Sequence, residues 1–161
     1  MSNMRFIENA KPVVMAVPID TTGAAVSGDY VSMKGYTHLT IVIMQGAWAG
    51  GTPAVTLKQA TDVAATGEKA LSFSKYWSGT ALTDDQYAAT AVVSDTFNLT
   101  ATANKVTILE VNASDLDVDN GFDCVRVGIA SPGANADLIC VLGILTGTRY
   151  PQATTQAAIS D

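Results

Sequence analysis

The apolar positions of this chain recur every second residue, and residues 37–60 show it most clearly. Leu39, Ile41 and Ile43 fall on one side of an extended chain, with His38, Thr40, Val42 and Met44 on the other. After a glycine-rich link, Val55 and Leu57 repeat the pattern, with Thr56 and Lys58 opposite. This predicts two strands joined as a central hairpin. Gly46, Gly50 and Gly51 allow positive φ in the link, and Pro53 marks the edge of the second strand. Trp48 lies at the tip, flanked only by alanine and glycine.

The rest of the chain carries the same signal. Residues 12–17 read as a valine-rich first strand ended by Pro18, and residues 29–33 as a second strand or its edge. Residues 70–77 alternate, with Leu71, Phe73, Lys75 and Trp77 on one face and Ser72, Ser74 and Tyr76 on the other. Residues 91–100 and 105–112 form strands around a turn in which Asn104 suits the left-handed position. Residues 122–130 and 137–147 predict a final hairpin, with Pro132-Gly133 in its turn. The last strand is apolar on both faces, so it is expected to be central or covered on both sides. About eight short strands, with no useful amphipathic helix and no βαβ alternation, define an all-β sandwich or barrel. Polar, aperiodic segments flank it. Residues 1–11 and 148–161 read as N- and C-terminal arms around one domain of residues 12–147.

Composition adds a statement about the surface. Of 161 residues, 48% are hydrophobic and only 15% charged, against roughly 25% charged in average globular proteins. Mean hydropathy is +0.23. So little charge implies a surface largely covered by partners. The net charge of −6, with nine basic residues scattered singly, argues against nucleic acid as a partner. The longest apolar run, residues 138–145, is too short to cross a membrane as a helix. The start, MSNMRFIENAK, has no apolar core of a secretory signal, so synthesis in a cytoplasm is expected. Cys124 and Cys140 lie in separate predicted strands and are expected to be buried free thiols.

Candidate chemistry is sparse. His38 is the only histidine, and no nucleophile elbow accompanies it. One histidine and two cysteines sixteen apart do not make a common zinc site. No phosphate-binding glycine loop occurs, and the Asp84-Asp85 pair lies in a polar segment that would not raise a carboxyl pKa. Asp115, Asp117 and Asp119, followed by Asn120-Gly121, superficially resemble a calcium loop, but Asn120 stands where that loop needs glycine and Arg126 where it needs glutamate. The expectation is a solvated acidic loop, or one that meets a basic group on a partner. No catalytic, cofactor or metal residue is assigned, and no enzyme activity is expected. The candidate partner contacts are Trp48, Tyr76, Trp77, Asp115, Asp117 and Asp119. Trp48 is the expected anchor for another chain, and the three aromatic rings are also the set a carbohydrate-binding module would use.

The segments IDTTGAAVSGDYVSMKGYTHLTIVIMQG, AVTLKQA and ILEVNASDLDVDNGFDCVRV give the chain a texture that resembles the small virion proteins of tailed bacteriophages, head decoration (cement) proteins most of all. The resemblance covers roughly residues 12–150. It implies an antiparallel β-sandwich, jelly-roll-like, that forms homo-oligomers and clamps neighbouring major capsid subunits on the capsid surface. A tail or head–tail connector protein is the alternative within the same class.

Overall fold

The structure, a computed structural model, describes residues 6–80, 83, 86–148 and 158–159. The Asp84-Asp85 pair, residues 1–5 and most of the expected C-terminal arm lie outside the described residues. One helical turn, α1 (Phe6–Asn9), leads directly into β1 (Ala10–Asp20). Short β2 (Val26–Ser27) and β3 (Val31–Ser32) precede β4 (His38–Trp48) and β5 (Ala54–Ala60). Then come β6 (Lys69–Ala70), β7 (Phe73–Thr80), β8 (Ala88–Ser94), β9 (Thr96–Asn98) and β10 (Lys105–Asn112). Two single 3-10 turns, Ala113–Asp115 and Val118–Asn120, lead to β11 (Cys124–Ile129) and β12 (Asp137–Thr146). The long strands are β1, β4, β5, β7, β8, β10, β11 and β12, which agrees with the expected count of about eight.

Every pairing is antiparallel, and the strands form two sheets. Sheet A has the order β1-β12-β4-β10-β7-β8. Sheet B has the order β2-β11-β5-β6, with β3 also on β11 and β9 on β5. The chain changes sheet at most connections. Set β1-β12-β4-β10 against β2-β11-β5-β9, and the order is that of a jelly roll, in which the first strand lies beside the last. The β6–β8 segment is an insertion that widens sheet A by two strands.

Both expected hairpins are corrected by this topology. β4 lies in sheet A and β5 in sheet B, and β11 and β12 are divided in the same way. Each short link bridges the sandwich instead of reversing a strand within one sheet. β4 pairs with β12 and β10, both distant in sequence, and β5 pairs with β11. Two boundaries also move. β1 starts at Ala10, inside the expected arm, with Ala10 opposite Thr146 and Lys11 opposite Leu145. It then runs past Pro18 to Asp20. An edge strand tolerates proline because one side of its backbone has no partner to lose. Within the expected C-terminal arm, Ala158 is buried in the core, and its carbonyl accepts the Ser32 N–H at 2.7 Å.

The core lies between the sheets, where the period-2 reading placed it. Leu39, Ile41 and Ile43 of β4 meet Val55 and Leu57 of β5, with Leu109, Val125 and Leu145 from β10, β11 and β12. All eight are fully buried, and burial of each such side chain stabilises the fold by about 1.5–3 kcal/mol. β7 departs from the expected alternation. Val92 and Val93 of β8 together oppose Ser74 alone, a bulge that twists the ribbon. Phe73 and Tyr76 both reach Phe97, at ring separations of 5.8 and 4.2 Å, while Trp77 stands opposite Ile108 on the far side of the sheet.

Candidate interaction surface

The outer faces of the two sheets differ in chemistry. Residues directly opposite in an antiparallel pair share a face. On the outside of sheet A, Val14 pairs with Leu142, Leu142 with Val42, Val42 with Ile108, and Ile108 with Trp77. This is one uncharged row across five neighbouring strands. A second row, Cys140–Met44–Val106, lies beside it. Val14, Val17, Met44 and Leu138 are between 40% and 63% exposed. β12 is therefore central in its sheet, as expected, but only its inner face, Ile139, Val141 and Leu145, is in the core.

Sheet B turns polar side chains outward. Lys58 and Arg126 are cross-strand partners, and both reach the Glu68 carboxylate, Arg126 Nη2 at 2.5 Å. The Tyr30 hydroxyl donates to the same carboxylate at 2.6 Å, and the Arg126 guanidinium lies over the Tyr30 ring at 4.9 Å. The hydrogen bond from Lys58, then that from Tyr30, holds the Glu68 carboxyl below its ordinary range. Burial, reinforced by Glu68, pushes the Tyr30 hydroxyl up.

The six expected contact residues do not form one site. Trp48 is the last residue of β4, not a loop tip, and it packs half-buried against the core with its indole N–H donating to Gly51 O at 3.2 Å. Its backbone pairs with Asp137, whose carboxylate accepts the N–H groups of Ala49 and Gly50. Only Gly51 of the three link glycines uses positive φ, and a side chain there would meet Pro132 O at 3.0 Å. Tyr76 packs inward on Phe97, whereas Trp77 faces outward under the Lys75 ammonium, 5.2 Å from its ring. The three rings therefore give no common stacking platform for a sugar.

The acidic loop is largely closed by its own chain. Lys69 pairs with Asp117 and lies 4.0 Å over the Phe122 ring. Asn120 donates to both Asp117 oxygens at 2.9 Å, and Gln59 Oε1 accepts the Asp117 N–H at 2.9 Å. The hydrogen bond from Lys69, then that from Asn120, keeps the Asp117 carboxyl low. Asp115 accepts the Asn112 N–H at 2.8 Å and so closes a turn. Asp119 stays exposed. One cleft does bring two of the six together. β10 and β7 pair only from Lys105–Thr80 to Ile108–Trp77 and then part. The opening has a volume of about 490 Å³ and is lined by Phe73, Lys75, Trp77, Glu110, Asn112 and Asp115 among others.

His38 serves structure. Its Nε2 meets Glu110 at 2.6 Å, and Glu110 also accepts the Thr40 hydroxyl. Cys124 is buried and Cys140 half-buried, on opposite sheets, so they do not bridge one another, and the Cys124 thiol donates to Asp123 at 3.1 Å. Reading the sequence missed Glu68, Asp137 and the outer row of sheet A. The signal for the row was present in Val42 and Met44, apolar positions on the face of β4 opposite its core residues.

No protein-family model and no curated protein sequence matches the chain. Among solved structures, the fold is similar to the crystal structure of the SPBc2 prophage-derived protein YomS, at 14% sequence identity. The likeness covers 86% of this chain and 94% of that one, with a TM-score of 0.50. It shows a shared fold.

Proposed function

We propose that this protein is a non-enzymatic structural component of a phage particle, a head decoration subunit that binds the major capsid lattice. The observation that carries the reading is the asymmetry of the sandwich. Sheet B presents charged groups paired with one another, whereas sheet A presents an uncharged row across five strands. A contiguous apolar face of that extent marks an interaction surface. The low charge of the whole chain agrees with a protein used in assembly. The fold shared with a prophage-derived protein supports a phage origin. Asp119 and Asp115, at the rim of the acidic loop, are the carboxylates offered to a basic group on a capsid subunit. A subunit that binds the assembled lattice better than its loose components stabilises the shell by mass action.

Mass spectrometry of purified particles, separated into heads and tails, tests this directly. The expected result is the protein in the head fraction at a copy number that scales with the major capsid protein. Presence only in the tail fraction would move it to a tail or connector role. Absence from particles would overturn the proposal.

A further inference from the structure

We infer that the outer face of sheet A is covered by a second copy of this chain, related by a two-fold axis that runs parallel to the strands along β4. The inference rests on the reading of this face as a buried interface and names its occupant. The row Val14–Leu142–Val42–Ile108–Trp77 has β4 at its centre. Two-fold packing about that centre sets Val42 against its own copy and Leu142 against Ile108 of the partner. It sets the small Val14 against the large Trp77 ring. In the neighbouring row, Met44 meets its own copy and Cys140 meets Val106. The row is therefore complementary to itself in size. It carries no charge, so self-packing brings no like charges together. An isologous contact requires that property. Three ionisable groups share this face: Glu110 one row from Val42, His38 two rows away and hydrogen-bonded to Glu110, and Lys75, whose ammonium lies over the Trp77 ring and must swing aside for Val14 to meet it.

The dimensions fit. Four strands about 4.8 Å apart, paired over about seven residues at about 3.3 Å, with β7 beside them for about four, give a flat footprint of roughly 500 Å² that takes in Glu110 and His38 at one end. With side-chain relief this approaches the roughly 800 Å² per partner of a stable interface, and obligate homodimers favour an apolar core of this kind. Two sheets packed face to face about 10 Å apart also match a common β-sandwich arrangement.

The test uses the purified full chain and sedimentation equilibrium. The expected wild type is a dimer at roughly 10 μM, and Val42→Asp or Met44→Lys should weaken association at least about tenfold. Circular dichroism confirms that each variant is folded, and Met44, already 40% exposed, is the safer of the two positions. A Val42→Cys, Cys140→Ser protein should be joined into a covalent dimer by a short bis-maleimide cross-linker, because sheets about 10 Å apart hold the two thiols beyond disulfide reach, whereas Thr96→Cys, Cys140→Ser on sheet B should not. A wild type that stays monomeric, or a folded Met44→Lys protein that dimerises normally, overturns the inference. If the monomer binds shells and Met44→Lys abolishes that binding, a capsid subunit is the occupant. The second-copy inference then fails while the particle reading stands. A dimer that is absent from particles is the converse case, and there only the particle reading fails.

Discussion

The Asp137 carboxylate accepts the backbone N–H of Ala49 at 2.6 Å, across 88 positions of sequence. It also accepts the Gly50 N–H at 3.2 Å, and the Asp137 carbonyl accepts both the N–H and the hydroxyl of Thr21 at 3.0 Å. One buried residue at the start of β12 thus ties the sheet-crossing link after β4 to the chain leaving β1. Hydrogen bonds to a charged group are worth about 1.5–3 kcal/mol each, neutral ones about 0.5–1.5. Asp137→Ala is therefore expected to lower unfolding free energy by about 3 kcal/mol or more, and Asp137→Asn by about half that. Urea denaturation of the three proteins measures the order. Equal loss in both variants would show that the charge contributes nothing.

Trp48 depends on the same anchor. Its ring packs on the core and its N–H is held by Gly51, so it should now behave as a partial core residue. A fully buried Trp→Ala change costs about 3–5 kcal/mol, and half burial lowers the expectation to about 2. Trp48→Phe keeps much of the packing and is expected to cost about 1 kcal/mol, chiefly the lost hydrogen bond. In a Trp77→Phe background, the fluorescence maximum of Trp48 should shift to the red on Asp137→Ala. An unchanged midpoint in Trp48→Ala would restore the anchor role that its glycine-rich surroundings first suggested.

Strand content was legible because it is written locally. The apolar alternation over residues 105–112 has the bounds of β10, and Asn104 takes the left-handed conformation, at φ 55°. The inward sets of β4 and β5 followed from alternation alone. Partnership was not legible. The five-residue link between β4 and β5 has the composition of a hairpin turn, yet the strands separate because each finds longer-range partners. Nothing near Lys11 in sequence announces that it pairs with Leu145. The candidate site suffered for the same reason. The row from Val14 to Trp77 draws one residue from each of five distant segments, and no local pattern can assemble it. The bulge at Val92–Val93 also defeated simple alternation, because it twists the ribbon that carries Tyr76 and Trp77.

The Glu68 network should leave a mark on acid stability. Its carboxyl is held below the ordinary glutamate value of 4.5 by Lys58 and then Tyr30. A depressed folded-state pKa means that the unfolded chain binds the proton first as pH falls. The contribution is thus fully present above about pH 4.5 and is lost as pH drops through the lower folded value. Glu68→Gln should be less stable at neutral pH and should show a shallower loss between about pH 5 and pH 3. Urea midpoints across that range check both parts. A parallel downward shift with unchanged slope would mean that Glu68 acts by packing and not by charge.

The acidic loop provides the last test, because a cation and a lysine compete for the same role. Asp117 is already met by Lys69 and Asn120, and Asp115 is committed to the Asn112 N–H. A divalent ion would have to displace these donors. Asp115 and Asp119 are exposed, but Asp115 already accepts the Asn112 N–H, which leaves Asp119 as the carboxylate with no donor in its own loop, and a single exposed carboxylate binds calcium weakly. Millimolar calcium or a chelator should therefore move the unfolding temperature by less than about 1 °C, a shift that reports well under 1 kcal/mol of binding. Lys69→Ala changes the situation. It frees Asp117 and uncovers the Phe122 ring, so the protein should lose stability at low salt. If that variant gains a calcium-dependent rise in unfolding temperature that the wild type lacks, Lys69 is the residue that fills the cation's place. A rise of several degrees in the wild type would instead make the loop a metal site, with Lys69 displaced on binding.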